Sequence, residues 1–269
     1  MTEHHDWHMH TTVSDGKDSP ALMREAAKDL KLTSIAITDH DALDAHVMLS
    51  GEPMDGIEVV KAVEIDCSFN GRNIEILGYY IDVENKDLAG YLAAVQKERR
   101  ERALRYIDCV NDHFGKVVIK EQDVMPEGRV TILKPHILQP LVSNGLFANY
   151  GEAKKFLNSS PVKGFKRATA PEAITMIKGA GGMAVLAHPG VYDIPPLEAF
   201  AMIKTLRQDG IDGVETYYPY HLHMPDRYDS PGEERQFVEK VESLAKDLGL
   251  KATRGSDSHS ISDLVKYNS

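Results

Sequence analysis

Residues 34–40 read Ser-Ile-Ala-Ile-Thr-Asp-His, a short apolar run rich in β-branched side chains that stops abruptly in Asp39-His40. A run of this length bounded by polar residues reads as a buried strand. The same form recurs along the chain. Met183–Ala187 (MAVLA) leads into His188, and the weaker Lys251–Arg254 (KATR) leads into Asp257 and His259. Ile57–Asp66 (IEVVKAVEID) carries Glu64 near its end, and Asn73–Asp82 and Gly213–Tyr217 are further strands. Asp6–His10 is too short and polar to assign from its pattern, yet it holds His8 and His10 two residues apart. Between the strands lie helices. Ser19-Pro20 is a cap followed by a first-turn proline, and Leu22, Ala26 and Leu30 then share one face. Ala170–Lys178, Pro195–Gln208 and Pro231–Leu248 have similar apolar spacing. Strands alternating with helices predict a parallel α/β sheet or barrel.

One block breaks the alternation. From about residue 85 to 164 the chain reads as helices and turns, with Lys116–Lys120 (KVVIK) its one candidate strand. The expected organisation is a barrel built from 1–84 and 165–269, with 85–164 a mostly helical insertion covering one end. Lys86–Phe114 is a long polar helix, and its Lys97–Arg102 stretch reads as a solvated face because Glu98–Arg102 and Glu101–Arg105 are favourable i,i+4 pairs.

The chain has 269 residues, 31 Lys+Arg and 41 Asp+Glu, for a net charge of −10. That balance argues against binding a nucleic-acid duplex or an anionic membrane surface, both of which call for a basic face. Two cysteines exclude a disulfide scaffold and a thiolate zinc module. With no apolar leader and no apolar run long enough to span a bilayer, the expected location is the cytoplasm. Oligomeric state is left open.

The ionisable residues fall into a pattern. His8 and His10 share one face if they lie on a strand. Asp39-His40, Glu64, His188 and Asp257-x-His259 each stand at or near a strand end. In a parallel barrel those ends open on one rim, where barrel enzymes place their chemistry. Imidazole and carboxylate without thiolate suit Mn, Fe or Zn, and this many ligands predicts two or three divalent ions. Such clusters generate hydroxide at neutral pH and clamp both oxygens of an in-line displacement at phosphorus.

In this order, the segments DWHMHTTVSDG (6–16), AITDHDAL (36–43), the Glu64 strand, LAHPG (186–190) and GSDSH (255–259) resemble the polymerase-and-histidinol-phosphatase (PHP) family of metal-dependent phosphoesterases. The likeness runs from about residue 5 to 260 and is nearest to the bacterial branch with a helical insertion acting on small nucleotide or cyclic phosphate esters. It implies a distorted (β/α)7 barrel. It also implies three ion sites: His8, His10, Glu64 and Asp257 for the first; Glu64 and His188 for the second; and Asp15, His40 and His259 for the third. The position usually held by histidine as a further ligand of the second ion is here Glu75. Lys134-Pro135-His136 stands where the family usually shows Arg-Pro-His, so Lys134 and His136 are expected to grip a substrate phosphate.

Proton donation to the leaving group is expected from His188 or the Asp257–His259 pair. His221 is a candidate substrate contact. Glu215 reads as structural, Trp7 and Cys67 as core, and His46 and His113 as surface residues. His4 and His5 read as tail, and Arg129 and Lys163–Lys166–Arg167 as solvated charge. The leading function is hydrolysis of nucleotide or sugar phosphate monoesters by a metal-bridging hydroxide. The alternatives are a cyclic-phosphate phosphodiesterase, a non-catalytic metal-binding module, and an amidohydrolase-type deaminase. The last is disfavoured because that chemistry uses a different order of ligands.

Overall fold

Each strand–helix unit is nucleated by local signals that tertiary pairing then completes. In the computed structural model, which describes residues 4–51, 56–228 and 230–268, Ser19 caps α1 (Pro20–Asp29) by accepting from Leu22 N–H. The strands are β1 (His5–Met9), β2 (Ser34–Ile37), β3 (Glu58–Phe69), β4 (Arg72–Tyr79), β5 (Met183–Leu186), β6 (Gly213–Tyr217) and β7 (Lys251–Arg254). They form one sheet in the order β1 to β7. The first strand and the segment after β7 come together through His10 N–H to the Ser258 carbonyl and Asp257 N–H to the His8 carbonyl, both 2.8 Å, which nearly closes a barrel. The polar β1 is thus a strand because it is paired on both sides, a tertiary effect its own pattern does not carry.

The fold is the expected distorted seven-stranded α/β barrel, with departures in detail. β4 runs antiparallel to both β3 and β5. The cause is local: Asn70 (φ 48°) and Gly71 (φ 78°) form a tight two-residue turn, so β3 and β4 make a hairpin instead of a crossover. β3 also runs on to Phe69, which leaves Glu64 mid-strand, paired with Leu77. Reversal brings the start of β4 to the same rim, and Asp66 pairs with Glu75 there.

Alternate residues of the strands fill the barrel: Ala36, Val60, Ala62, Leu77, Tyr79, Val185 and Ala187. Because side chains repeat every second residue, Glu64 and Asp66 continue the inward face of Val60 and Ala62 above this apolar plug. Outside the sheet, α1, α2 (Asp44–Leu49) and α11 (Ile261–Asn268) cover β1 and β2. The other strands are covered by α7 (Ala170–Gly179), α8 (Pro196–Gln208), α10 (Pro231–Asp247) and the short α9 (Tyr220–His223).

The inserted segment contributes α3 (Lys86–Phe114), α4 (Glu121–Val124), α5 (Lys134–Ser143) and α6 (Tyr150–Ser159). Leu88 and Leu92 of α3 pack into the barrel's outer core, whereas Ala103, Ile107 and Val110 belong to a separate core with Ile137, Leu141 and Leu157. The boundary between the two bodies therefore runs through one helix. Lys116–Lys120 is not a strand: it pairs with no sheet and is clamped by Asn111, which accepts from Val118 N–H and donates to the Ile119 carbonyl. Among the described residues no helix is long and apolar enough to cross a membrane.

Two surface assignments change. His46 is buried, its Nε2 meeting the Ala62 N–H at 3.0 Å, where it ties α2 to β3. Arg99, placed by its pattern on a solvated face, is 1% exposed. His5, expected in a tail, opens β1 with its ring against Trp7.

Candidate metal centre

At the rim, nine of the predicted side chains converge. His8 and His10 rise from the end of β1, and their Nε2 atoms face the same two carboxylates: Glu64 Oε2 at 3.4 and 3.2 Å, and Asp257 Oδ1 at 3.5 and 3.1 Å. His188 Nε2 lies 3.3 Å from Glu64 Oε1 and 3.4 Å from Glu75 Oε2. His40 Nδ1 is 3.2 Å from Glu64 Oε2, and Asp15 Oδ2 is 3.3 Å from His259 Nε2. Three stacked ring pairs, His8–His188, His10–His40 and His10–His259, hold the imidazoles side by side.

Loop chemistry sets these directions. Asp39, grouped by the pattern with the ligands, instead accepts from Thr11 N–H, Thr11 Oγ and Ser14 Oγ at 2.6–2.8 Å, fixing the loop that carries Asp15. A Cβ on Gly16 would stand 2.5 Å from the His10 carbonyl, so only glycine lets that loop fold back. A Cβ on Gly255 would come within 2.2 Å of His8 Cβ, so the chain after β7 can pass behind His8 only without a side chain.

Electrostatics divide the cluster into acids held charged and bases held protonated. Burial would raise Glu64 and Asp257, but surrounding histidines outweigh it and hold both well below the usual carboxylate range. Burial would lower His8 and His10, yet the facing carboxylates lift both well above the usual histidine value. Glu75 goes the other way: burial, then Glu64 and Asp66, push it well above the usual range.

The donor set fits divalent ions. The buried His8 Nε2, His10 Nε2 and His40 Nδ1 have no hydrogen-bond partner, although each faces carboxylate oxygen at close range. Nitrogen lone pairs and carboxylates aimed at common points, without thiolate, are what Mn, Fe(II) or Zn would take. Among the described residues, three of the predicted groups have ligand atoms close enough to share an ion: His8, Glu64 and His188; His8, His10 and Asp257; and His10, Asp15, His40 and His259. A fourth, His40, Asp66 and Glu75, was not anticipated.

Supporting residues were legible to different degrees. Glu215, read as merely structural, is fully buried and accepts from His8 Nδ1 (3.1 Å) and His188 N–H (2.9 Å). It fixes the His8 tautomer so that Nε2 presents its lone pair to the cluster. Tyr218 donates to Asp257 Oδ2 at 2.9 Å. Asp66 lies two residues beyond Glu64 on one strand face, a signal the sequence did contain. Arg99 bonds both Asp41 and Asp66, and no pattern in its own helix points there.

The predicted substrate groups sit differently. His136 is buried in the first turn of α5, where its Nδ1 accepts from Leu133 N–H; burial, then Arg129, push it down to about 4. Lys134 donates to Asn158 in α6. Arg129 is half-buried and donates to the Ser14 carbonyl beside Asp15, so it is not simply solvated charge. His221 is held by Glu234 of α10 and falls outside the ligand groups.

Residues 6–125 match the family model described as the PHP domain. The chain is 29% identical over 265 residues, 96% of its length and 91% of the other, to a 5'-3' exoribonuclease of Haemophilus influenzae. It is 28% identical to a 3',5'-nucleoside bisphosphate phosphatase of Chromobacterium violaceum, over 94% of this chain and 86% of that one. Its fold matches a crystal structure from Bifidobacterium adolescentis described as a metal-dependent phosphoesterase, with TM-score 0.75, 26% identity, and 96% and 88% of the two chains covered.

Proposed function

This chain carries a PHP domain, and on that premise we propose that it is a metal-dependent phosphoesterase that hydrolyses small phosphate esters, nucleotide or sugar phosphate monoesters first among them. The observation that carries this reading is the set of buried imidazole nitrogens without hydrogen-bond partners, aimed at shared carboxylates on the open rim. Two or three Mn, Fe or Zn ions would be held by His8, His10, Asp15, His40, Glu64, Glu75, His188, Asp257 and His259. When bound, they supply an activated water at neutral pH and neutralise charge developing on the phosphorus oxygens.

The chain's own groups do the rest. Glu64 would serve more than one ion, since His8, His10 and His40 face one of its oxygens and His188 the other. Proton delivery to the leaving oxygen falls to His188 or to His259 paired with Asp257, of which His259 is the most open, with 31% of its side chain exposed. Lys134 and His136 stand on the inserted helices as phosphate-gripping groups, and His221 as a more distant substrate contact.

The test is product analysis with the Mn-loaded protein over nucleotides, sugar phosphates, cyclic phosphates and short 5'-phosphorylated RNA, reading inorganic phosphate from monoesters, ring-opened monoester from cyclic phosphates and released nucleotides from RNA, the last because one relative bears the name of an exoribonuclease. Monoester turnover that disappears in Glu64→Gln supports the reading. Turnover of cyclic phosphates alone would favour a phosphodiesterase instead, and no turnover of any ester would refute it.

A further inference from the structure

The insertion does not rest on the whole rim. Its hydrogen bonds to the rim converge on two loops and one carboxylate. After β1, Arg129 Nε donates to the Ser14 carbonyl at 3.0 Å and Val130 N–H to the Val13 carbonyl at 3.1 Å. After β2, Gln96 donates to the Asp41 carbonyl at 2.9 Å, and Arg99 grips the Asp41 carboxylate through Nε at 3.0 Å and Nη2 at 2.5 Å. Arg99 also reaches Asp66, whose other oxygen is 3.6 Å from His40 Nδ1. By contrast, among the described residues His188 and Asp257 bond only within the barrel, to partners such as Glu64, Glu215 and Tyr218.

The two gripped loops carry Asp15 and His40. With His259 and the shared His10, these form one of the groups whose ligand atoms can hold a common ion. Asp15 directly follows Ser14, whose carbonyl Arg129 holds. His40 directly precedes Asp41, a non-glycine residue at φ 49°. Such a backbone costs energy and persists only where its surroundings impose it. Here Arg99 and Gln96 impose it from the insertion, while the Asp41 N–H donates to the Glu64 carbonyl at 2.9 Å. The insertion's own apolar core is separate from the barrel's, and on this side Val130 packs against the core beneath β1 and β2. The seat on the rim therefore depends heavily on polar contacts to these two loops.

We propose that docking of the insertion and binding of the ion at Asp15, His40 and His259 are one coupled event. The insertion locks both loops in ligating geometry, and the ion in turn locks the insertion over the rim. Arg99, Arg129 and Gln96 are positioning residues for that ion, and the groups built on His188 and Asp257 stand outside the coupling. This rests on the metal-binding half of the reading above and is indifferent to which ester is hydrolysed. Coupling of this kind is reciprocal, so each partner tightens the other by the same factor.

The experiment follows the insertion and the ions separately in the full chain. Hydrogen–deuterium exchange across residues 124–134 is compared in chelator-treated and Mn-loaded protein. Mn slows exchange in the wild type. His259→Ala, which spares the other ligand groups, abolishes that slowing, whereas His188→Ala, which cuts a different group, retains it. In the other direction, Arg129→Gln and Gln96→Ala each weaken one Mn site about ten-fold in equilibrium dialysis and leave the rest unchanged. Adding either change to His259→Ala costs no further ion, which identifies the site. Arg99→Met acts in the same direction and more strongly; if it does not fold, the two milder variants decide. Slowing by Mn that survives His259→Ala overturns the coupling. So does an Arg129→Gln protein in which every site keeps wild-type affinity or all weaken alike. A wild type that binds no Mn refutes the metal centre itself, and the coupling falls with it; loss of the coupling with Mn still bound leaves the metal centre standing.

Discussion

At the scale of single residues, the cluster is governed by which nitrogen and which oxygen each side chain is left free to offer. Glu215 spends its carboxylate on His8 Nδ1 and the His188 backbone N–H, so the His8 ring cannot turn and the start of the His188 loop is held. Glu215→Gln keeps the shape but replaces one accepting oxygen by a donor, so it no longer enforces the His8 tautomer while also accepting from the His188 N–H. It is expected to weaken metal binding ten- to a hundred-fold, the usual cost of losing such a partner. Elemental analysis after dialysis against graded chelator measures this, and full retention would show that His8 orients itself. Glu75 tests a different point. Its Oε2 is 3.4 Å from His188 Nε2, yet Glu64 and Asp66 crowd it with negative charge. Glu75→Ala should empty one ion site and spare the others, and Glu75→His should keep it filled; unchanged metal content in Glu75→Ala would remove Glu75 from the ligand set. Most of the proposed ligands were readable because a histidine or acid directly follows an apolar run. Glu215 was harder: it sits mid-strand like any buried acid, and its role depends on a residue 207 positions away.

At the scale of elements, the alternation of strand and helix made the barrel legible, and it failed where pairing partners decide. β1 carries no apolar alternation and exists because β2 and the segment after β7 flank it. The hairpin that reverses β4 is written in Asn70-Gly71, both at positive φ, where strand–helix alternation alone predicts a parallel barrel. The inserted helix α3 misled in the opposite way. Its i,i+4 charge pairs suggest solvent, yet Arg99 points inward between Asp41 and Asp66, and Gln96 donates to the Asp41 carbonyl. This is the pin that seats the insertion on the rim. Arg99→Met removes one member of a buried ionic network and strands two acids, which should cost about 3–5 kcal/mol. Urea denaturation reads that loss. If Arg99→Met is as stable as wild type, the insertion is held by its apolar contacts alone. Gly255 gives a sharper test at the other end: Gly255→Ala should displace His8 and lower metal content while leaving the helices intact, as judged by far-UV circular dichroism.

Across the whole molecule, protons and metal ions compete for one cluster, and the net charge of −10 favours cations of either kind near it. Without metal, His8 and His10 are raised above the ordinary histidine value by the acids they face. Their contribution to stability is thus fully present below the unfolded histidine pKa of about 6.5 and fades as pH climbs through the raised folded values. Glu64 and Asp257 are depressed, so theirs is present above the unfolded carboxylate range near ~4 and lost only as pH falls through the lowered folded values. Divalent ions reverse the alkaline half of this balance, because they replace the imidazole protons as partners of the carboxylates and bind more tightly as those protons leave. Thermal unfolding of chelator-treated protein should therefore weaken from pH 6.5 toward pH 9, while the Mn-loaded protein should hold or gain over the same range, so the gap between them widens with pH. Calorimetric Mn titrations in buffers of different ionisation enthalpy should show protons released on binding at pH 7. Parallel unfolding curves and buffer-independent heats would mean that the imidazoles are already neutral without metal, and that the facing carboxylates are held by something other than His8 and His10.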